Sequence, residues 1–187
     1  SAALPTGACR TAIDAMIAVL LADPVSGRVA ACHAGWRGVA GGILLEAIRL
    51  LEQAGSRRAD LLVALGPAVS GANYQVDTAV AEQVARSLPR DGGGAAAAPE
   101  ALLAELEDCG ALLPDPEPGH HRLDIRAASR RQLLLAGIGD DCIAVCPLCT
   151  VAEPLLFHSW RRDQVKAVQW SGIVSQEADL TARTNPD

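Results

Sequence analysis

The stretch Val29-Ala30-Ala31-Cys32-His33-Ala34-Gly35-Trp36-Arg37-Gly38 constrains this chain more than any other. An apolar, strand-like run passes there directly into a loop holding two glycines. Behind it, residues 39–54 (VAGGILLEAIRLLEQA) place Ile43, Leu44, Ala47, Leu50 and Leu51 on one face at helical spacing. The order predicts a strand, a tight turn and one amphipathic helix. Unpaired N–H groups at a helix start, glycines that allow close approach and the guanidinium of Arg37 together suit an anionic or polar ligand. His33, at the strand end, is placed to ligate a metal or move a proton; the plain alternative is a hydrogen-bonded structural histidine.

The chain has 187 residues, half of them hydrophobic, which is enough for one sizeable core and one domain. A net charge of −6 offers no basic face, so a nucleic-acid partner is disfavoured. The apolar stretches 12–22 and 133–136 are too short to span a bilayer, and Asp14 interrupts the first. Of six cysteines, Cys32, Cys142 and Cys146 lie in strand-like runs and read as buried thiols in a reducing compartment, not as a disulfide framework. The chain starts at Ser1 with neither a methionine nor a charged and apolar leader, so the expectation is a processed terminus or sequence upstream.

Residues 13–21 (IDAMIAVLL) suit helix by length and strand by content; the turn residues Asp23 to Gly27 favour a hairpin with Arg28 to Cys32. Leu61 to Leu65 reads as a strand buried on both faces, ended by Gly66-Pro67. After a loop over residues 70–76, Asp77 is placed to cap a helix from Thr78 to Leu88. Residues 89–119, with a run of glycines and alanines and three later prolines, read as a surface excursion bracketing one weak helix, Pro99 to Glu107. Leu123 to Arg126 opens a helix over 127–136 that Gly137 closes. Strands are expected at Ile143 to Cys146 and Val165 to Ile173, and residues 177–187 form a polar tail. Alternating strands and helices give the α/β class, with one domain over residues 1–176.

Two constellations remain. Cys142, Cys146 and Cys149 have the spacing of some iron–sulfur loops, but a strand at 142–146 sends alternate side chains to opposite faces, which favours free thiols. Cys149, past Pro147, is the cysteine placed to reach a cleft. Residues 157–163 (FHSWRRD), if extended, put His158, Trp160 and Arg162 on one side and Ser159, Arg161 and Asp163 on the other, and either side can meet the His33/Arg37 loop. An exposed edge strand is the plain alternative. His120-His121 follow a proline-rich loop with no partner at ligand spacing and are expected in solvent. Serine-hydrolase, Walker and dinucleotide fingerprints are absent.

The hexapeptide His33 to Gly38 resembles the signature of the YfiH/YlmD-type laccase-domain family. Leu20-Leu21-Ala22-Asp23-Pro24, Leu65-Gly66-Pro67-Ala68-Val69, Cys149-Thr150 and the run Phe157 to Asp163 resemble further family blocks in the same order. Ala72-Asn73-Tyr74-Gln75-Val76 and residues 168–174 resemble its cyanobacterial and plant-plastid branch. The resemblance implies a single α/β domain with mixed sheets covered by helices. It also implies zinc bound by two histidines and one cysteine, and purine nucleoside phosphorolysis with adenosine deamination; an oxidase activity has been claimed.

Carried onto this chain, the resemblance makes His33 the one matching metal ligand. Met16 stands at the family cysteine, Ala15 and Ala18 flank it in place of an aspartate and a proline, and the block bearing the other histidine is not in the chain. A thioether is a poor zinc ligand. Cys32 would have to turn to the opposite strand face to substitute, and Cys9 would have to swing in from a loop. The catalytic set implied is His33, Arg37, Cys149 and Arg161, with Gly35, Trp36, Gly38, Asn73 and Arg162 binding a purine nucleoside and phosphate. The competing expectation is a degenerate, metal-free member serving as a binding or structural subunit of a larger assembly. Free thiols and the branch resemblance suggest chloroplast stroma or cytoplasm.

Overall fold

A hairpin organises the structure, a computed structural model that describes residues 8–13, 17–90, 98–165, 167 and 169–175. Strand β2 (Ile17–Ala22) turns into β3 (Val29–Ala34), pairing Ile17 with Ala34 and Ala22 with Val29. Asp23 holds the turn: its carboxylate accepts from the Val25 and Ser26 N–H groups at 2.9 and 3.1 Å, and its own N–H donates to the Arg28 carbonyl at 2.8 Å. The hairpin is the one expected, with β1 (Ala8–Ile13) preceding it; residues 14–16, Met16 included, lie outside the described residues.

Strands β4 (Leu62–Leu65) and β8 (Ile143–Val145) complete a four-stranded sheet in the order β3-β2-β4-β8. Because β2 runs antiparallel to both β3 and β4, and β8 runs parallel to β4, the strands β3, β4 and β8 all point the same way. A second sheet joins β5 (Gln75–Asp77), β7 (His120–Leu123) and β6 (Leu112–Pro114), and β1 pairs antiparallel with β9 (Gln169–Val174) as a two-stranded ribbon. One face of the large sheet, carrying Val19, Leu21, Cys32, Val63 and Leu65, packs into the main core beneath the helices. This is the mixed α/β domain with helix-covered sheets that the sequence predicted.

Several elements differ from expectation. The single helix over 39–54 is two: α1 (Trp36–Ala40) and α2 (Ile43–Gln53). Gly42 separates them with φ of 74°, a left-handed conformation that only glycine adopts without strain. Periodicity found the apolar face of α2, where Leu44, Ile48 and Leu51 are fully buried, each contributing roughly 1.5–3 kcal/mol. Strand β4 is buried on one face only, since Leu62 and Ala64 are exposed. The excursion over 89–119 is core-building where it is described: α4 (Pro99–Asp108) buries Leu102 and Leu106, and β6 and β7 follow. Residues 91–97 lie outside the described residues. His120 and His121 therefore sit half-buried on a strand, not in an exposed loop. Cys142 and Cys146 are half-buried and only Cys32 of that trio is buried. The last strand starts at Gln169, four residues later than expected, and the polar tail at 177–187 lies outside the described residues.

One aspartate caps a helix as expected, and a second, Asp124, caps one without having been singled out in the sequence. Asp77 caps α3 (Thr78–Arg86) by accepting from the Val80 N–H at 2.8 Å, and Asp124 caps α5 (Ile125–Leu135) by accepting from Arg126 and Ala127. Gly137 ends α5, its N–H bonded to the Leu134 carbonyl.

Candidate functional site at the ends of the parallel strands

Strands β3, β4 and β8 share a direction, so the loops that follow them emerge at one end of the sheet, the usual place for a ligand crevice in α/β proteins. Those loops carry His33 to Gly38, Ser70 to Tyr74, and Cys149 to Asp163. The expected site residues therefore come from three separated blocks gathered by topology.

The first loop starts with His33 exposed at the end of β3. Gly35 precedes α1, whose five residues make too short a helix to act as an anion site by itself. Gly38 lies against β3: a Cβ there would stand 3.1 Å from the His33 carbonyl oxygen and 3.4 Å from Ile43 Cγ2, so the block needs glycine for close approach. The Arg37 guanidinium lies 4.3 Å over the ring of Trp36.

The second loop delivers Tyr74, the only tyrosine of the chain, into full burial after a short turn at Gly71–Asn73. The guanidinium of Arg161 stacks 4.4 Å from its ring centroid. Burial pushes the Tyr74 phenol up, while the charges of Arg161 and then Arg37 oppose that shift. Among the described residues neither Arg37 nor Arg161 pairs with a carboxylate.

The third loop begins at Cys149, which is 8 % exposed and bridges in parallel to Ala68. Its sulfur accepts from the Ser70 N–H and hydroxyl, each at 3.3 Å, and from Asn73 Nδ2 at 3.6 Å. Burial alone would raise this thiol. The Ser70 donors, with backbone N–H groups of Ala152 and Val151, outweigh it and hold the thiol down at about 7. Cys32, by contrast, points into the core, where burial pushes its thiol up to about 11.

Arg162 has a different task from the one the sequence suggested. The segment after His158 is not extended: α6 (Trp160–Asp163) is one helical turn, which sends Arg161 and Arg162 apart. Arg162 donates to the carbonyls of Thr150, Val151 and Phe157 at 2.9–3.1 Å and pairs with Asp163 at 2.7 Å, so its donors go to its own loop. Arg126, 6 % exposed, likewise donates to the Cys146 and Leu148 carbonyls at 2.7 and 2.9 Å. These two arginines hold the Cys149 loop from both sides.

The zinc that the resemblance implies is tested by this donor set. Opposite His33 in the β2–β3 register stands Ala18, and Cys32 is on the other face. Met16 is outside the described residues, as is the side chain of Cys9. Among the described residues no three His, Cys, Asp or Glu side chains converge for a metal, the Cys142–Cys146–Cys149 spacing included. The described donors do not form the three-ligand centre by themselves.

Sequence reasoning missed Tyr74, Ser70 and Arg126. A lone tyrosine three positions after Gly71 was the available signal for the first; the other two act through contacts at long sequence separation.

The fold and site define an α/β domain with two cationic side chains, Arg37 and Arg161, in the loops at the carboxyl ends of its parallel strands. Residues 8–175 match the family model described as multi-copper polyphenol oxidoreductase laccase, and the chain belongs to that family. It is 43 % identical over 165 residues to a Synechocystis protein named purine nucleoside phosphorylase slr1573, covering 84 % of this chain and 60 % of the relative. It is 35 % identical over 166 residues to purine nucleoside phosphorylase YlmD of Geobacillus stearothermophilus, covering 88 % of this chain and 54 % of that protein. The crystal structure of YlmD from the same organism superposes with a TM-score of 0.76 at 29 % identity, over 91 % of this chain and 57 % of that one. That of Bacillus licheniformis YfiH gives 0.75 at 30 %, over 90 % and 58 %. The chain thus spans a little over half the length of these relatives.

Proposed function

We propose that this domain supports phosphorolysis of a purine nucleoside. The observation that carries the reading is that Arg161 stacks on buried Tyr74 and Arg37 stands in the His33–Gly38 block at the same end of the sheet, neither with a carboxylate partner among the described residues. Two guanidiniums suit a phosphate dianion, which each can grip through two N–H donors. In the reaction a phosphate oxygen forms a bond to C1′ of the ribose as the bond from C1′ to the purine nitrogen breaks. The base leaves with that electron pair and takes a proton. In this reading His33, exposed at the end of β3, supplies the proton. In this reading Asn73 and the backbone of Gly35, Trp36 and Gly38 bind the nucleoside; Asn73 Nδ2 donates to the Ser70 hydroxyl, which donates to Cys149 Sγ. No step is routed through zinc. The relatives named as purine nucleoside phosphorylases support the class of reaction.

The test is phosphate-dependent turnover of inosine and adenosine by the protein in its complete form. Arg37→Met and Arg161→Met should each raise the KM for phosphate about tenfold or more, the effect of losing one charge-assisted hydrogen bond. Turnover that does not depend on phosphate, or a phosphate KM that neither variant moves, overturns the reading. A second reading, a metal-free binding or structural subunit, is favoured by the donor set around His33, one zinc ligand of three. It predicts no stoichiometric zinc by elemental analysis and no turnover. The free thiols among the described residues suit a reducing compartment such as chloroplast stroma or cytoplasm, and no described helix is long and apolar enough to cross a membrane.

A further inference from the structure

Asn73 is exposed on the loop between β4 and β5, yet its amide nitrogen is turned inward. Nδ2 donates to the Ser70 hydroxyl at 3.1 Å and to Cys149 Sγ at 3.6 Å, which commits both amide hydrogens. The Ser70 hydroxyl gives its one hydrogen to the same sulfur at 3.3 Å. Among the described residues every group bonded to that sulfur is a donor: the Ser70 N–H and hydroxyl, Asn73 Nδ2, and the backbone N–H groups of Val151 and Ala152. The opposite amide orientation would set Oδ1 against two acceptors, Sγ and a Ser70 oxygen whose hydrogen is already given away. The network therefore fixes which way the amide faces.

The backbone beneath it is fixed as well. The turn at Gly71–Asn73 closes through the Asn73 N–H to the Ser70 carbonyl at 2.9 Å and the Tyr74 N–H to the Gly71 carbonyl at 3.1 Å. Arg122 of β7, paired with Asp115 at 2.8 Å, donates to the Ala72 carbonyl, and full burial of Tyr74 anchors the end of the loop. What the loop presents outward is one atom, Asn73 Oδ1, to which no donor is bonded among the described residues. It lies next in sequence to the tyrosine on which Arg161 stacks. An acceptor held in place before a ligand arrives needs no reorganisation, and it discriminates against a ligand that has no donor to offer it.

We propose that Asn73 is a specificity-determining residue: its Oδ1 accepts a hydrogen bond from a donor of the nucleoside, a ribose hydroxyl or an N–H on the edge of the base, and Cys149 is the positioning residue that keeps this oxygen outward. The proposal rests on the phosphorolysis reading for the ligand's class and is tested by binding, without turnover. Calorimetry on the complete protein compares inosine with 2′-deoxyinosine, 3′-deoxyinosine and purine riboside, which lacks both the 6-substituent and the N1–H. Asn73→Ala, at an exposed position, should weaken inosine binding about tenfold and leave the analogue that lacks the paired donor within about twofold of its native Kd. Loss confined to a deoxy analogue assigns the donor to the ribose, and loss confined to purine riboside assigns it to the base. Cys149→Ala frees the amide to turn and should weaken inosine binding several-fold with phosphate binding unchanged, whereas Cys149→Ser restores an acceptor and should recover most of the loss. The proposal is overturned if Asn73→Ala leaves inosine binding in place, if it weakens all three analogues as much as inosine, if Cys149→Ala weakens phosphate and inosine alike, or if the native protein binds no inosine. Inosine binding with the expected pattern but no phosphate-dependent turnover overturns the phosphorolysis reading alone.

Discussion

Replacing Ser70 by alanine should raise the titration midpoint of Cys149, because Ser70 supplies two of the donors that hold the thiol down. The Ser70 N–H and hydroxyl each lie 3.3 Å from the sulfur, which moves from an ordinary 9.0 to about 7 despite burial. That shift is worth on the order of 3 kcal/mol of preference for the thiolate, or about a hundredfold in its population below the ordinary midpoint. Alanine keeps the backbone donor and removes the hydroxyl. A net hydrogen bond to a charged group is worth about 1.5–3 kcal/mol, so the midpoint should climb from about 7 to above 8. The assay is thiolate absorbance near 240 nm against pH, with Cys149→Ala as the difference reference, which requires no reagent to reach a sulfur 8 % exposed. The sign for stability follows. A depressed acid stabilises the fold fully only above its unfolded midpoint near 9, and that contribution disappears as pH falls through about 7. Unfolding free energy should therefore rise between pH 7 and 9 in the native chain, and rise less in Ser70→Ala. A native midpoint at or above 8.5, or one that Ser70→Ala leaves in place, would refute the donor argument.

Two further outcomes follow from packing and loop anchorage. Leu106→Ala empties a fully buried site in α4 and should cost about 2–5 kcal/mol in denaturant unfolding; a cost below 1 kcal/mol would show that residues 98–119 are the surface excursion the composition suggested. Arg162→Lys removes the planar fork that serves three carbonyls and Asp163, and should increase protease cleavage between residues 150 and 158 without altering the phosphate KM directly assigned to Arg161; equal effects on that KM from both positions would contradict the division of labour.

Local rules read much of this molecule correctly. Asp77 was recognisable as a cap because capping needs only a short polar side chain before an apolar-periodic run. The β2–β3 hairpin was recognisable from a turn between two apolar stretches. The errors came where composition stood in for contact. The glycines, alanines and prolines of 89–119 suggested a loose excursion, but Leu102 and Leu106 recur at helical spacing and fill the core. A continuous run at 61–65 suggested burial on both faces, yet Leu62 and Ala64 are exposed. Arg161 and Arg162 were indistinguishable in sequence; one helical turn at 160–163 assigns one to Tyr74 and the other to its own loop.

The sequence by itself determined the strand–turn–helix unit at His33 to Gly38, the α/β class and the blocks that place the chain in its family, because each depends on spacing along a few consecutive residues. Tertiary structure alone decided which of those residues meet. The common direction of β3, β4 and β8 brings Arg37, Tyr74, Cys149 and Arg161 to one end of the sheet, although they are separated by up to 124 positions in the chain. It also decided the surroundings that set their chemistry: Cys32 and Cys149 are the same residue type and equally buried, and only the donors around the second make it a thiolate near neutral pH. Electrostatic environment is a property of neighbours in space, and sequence order does not specify those neighbours.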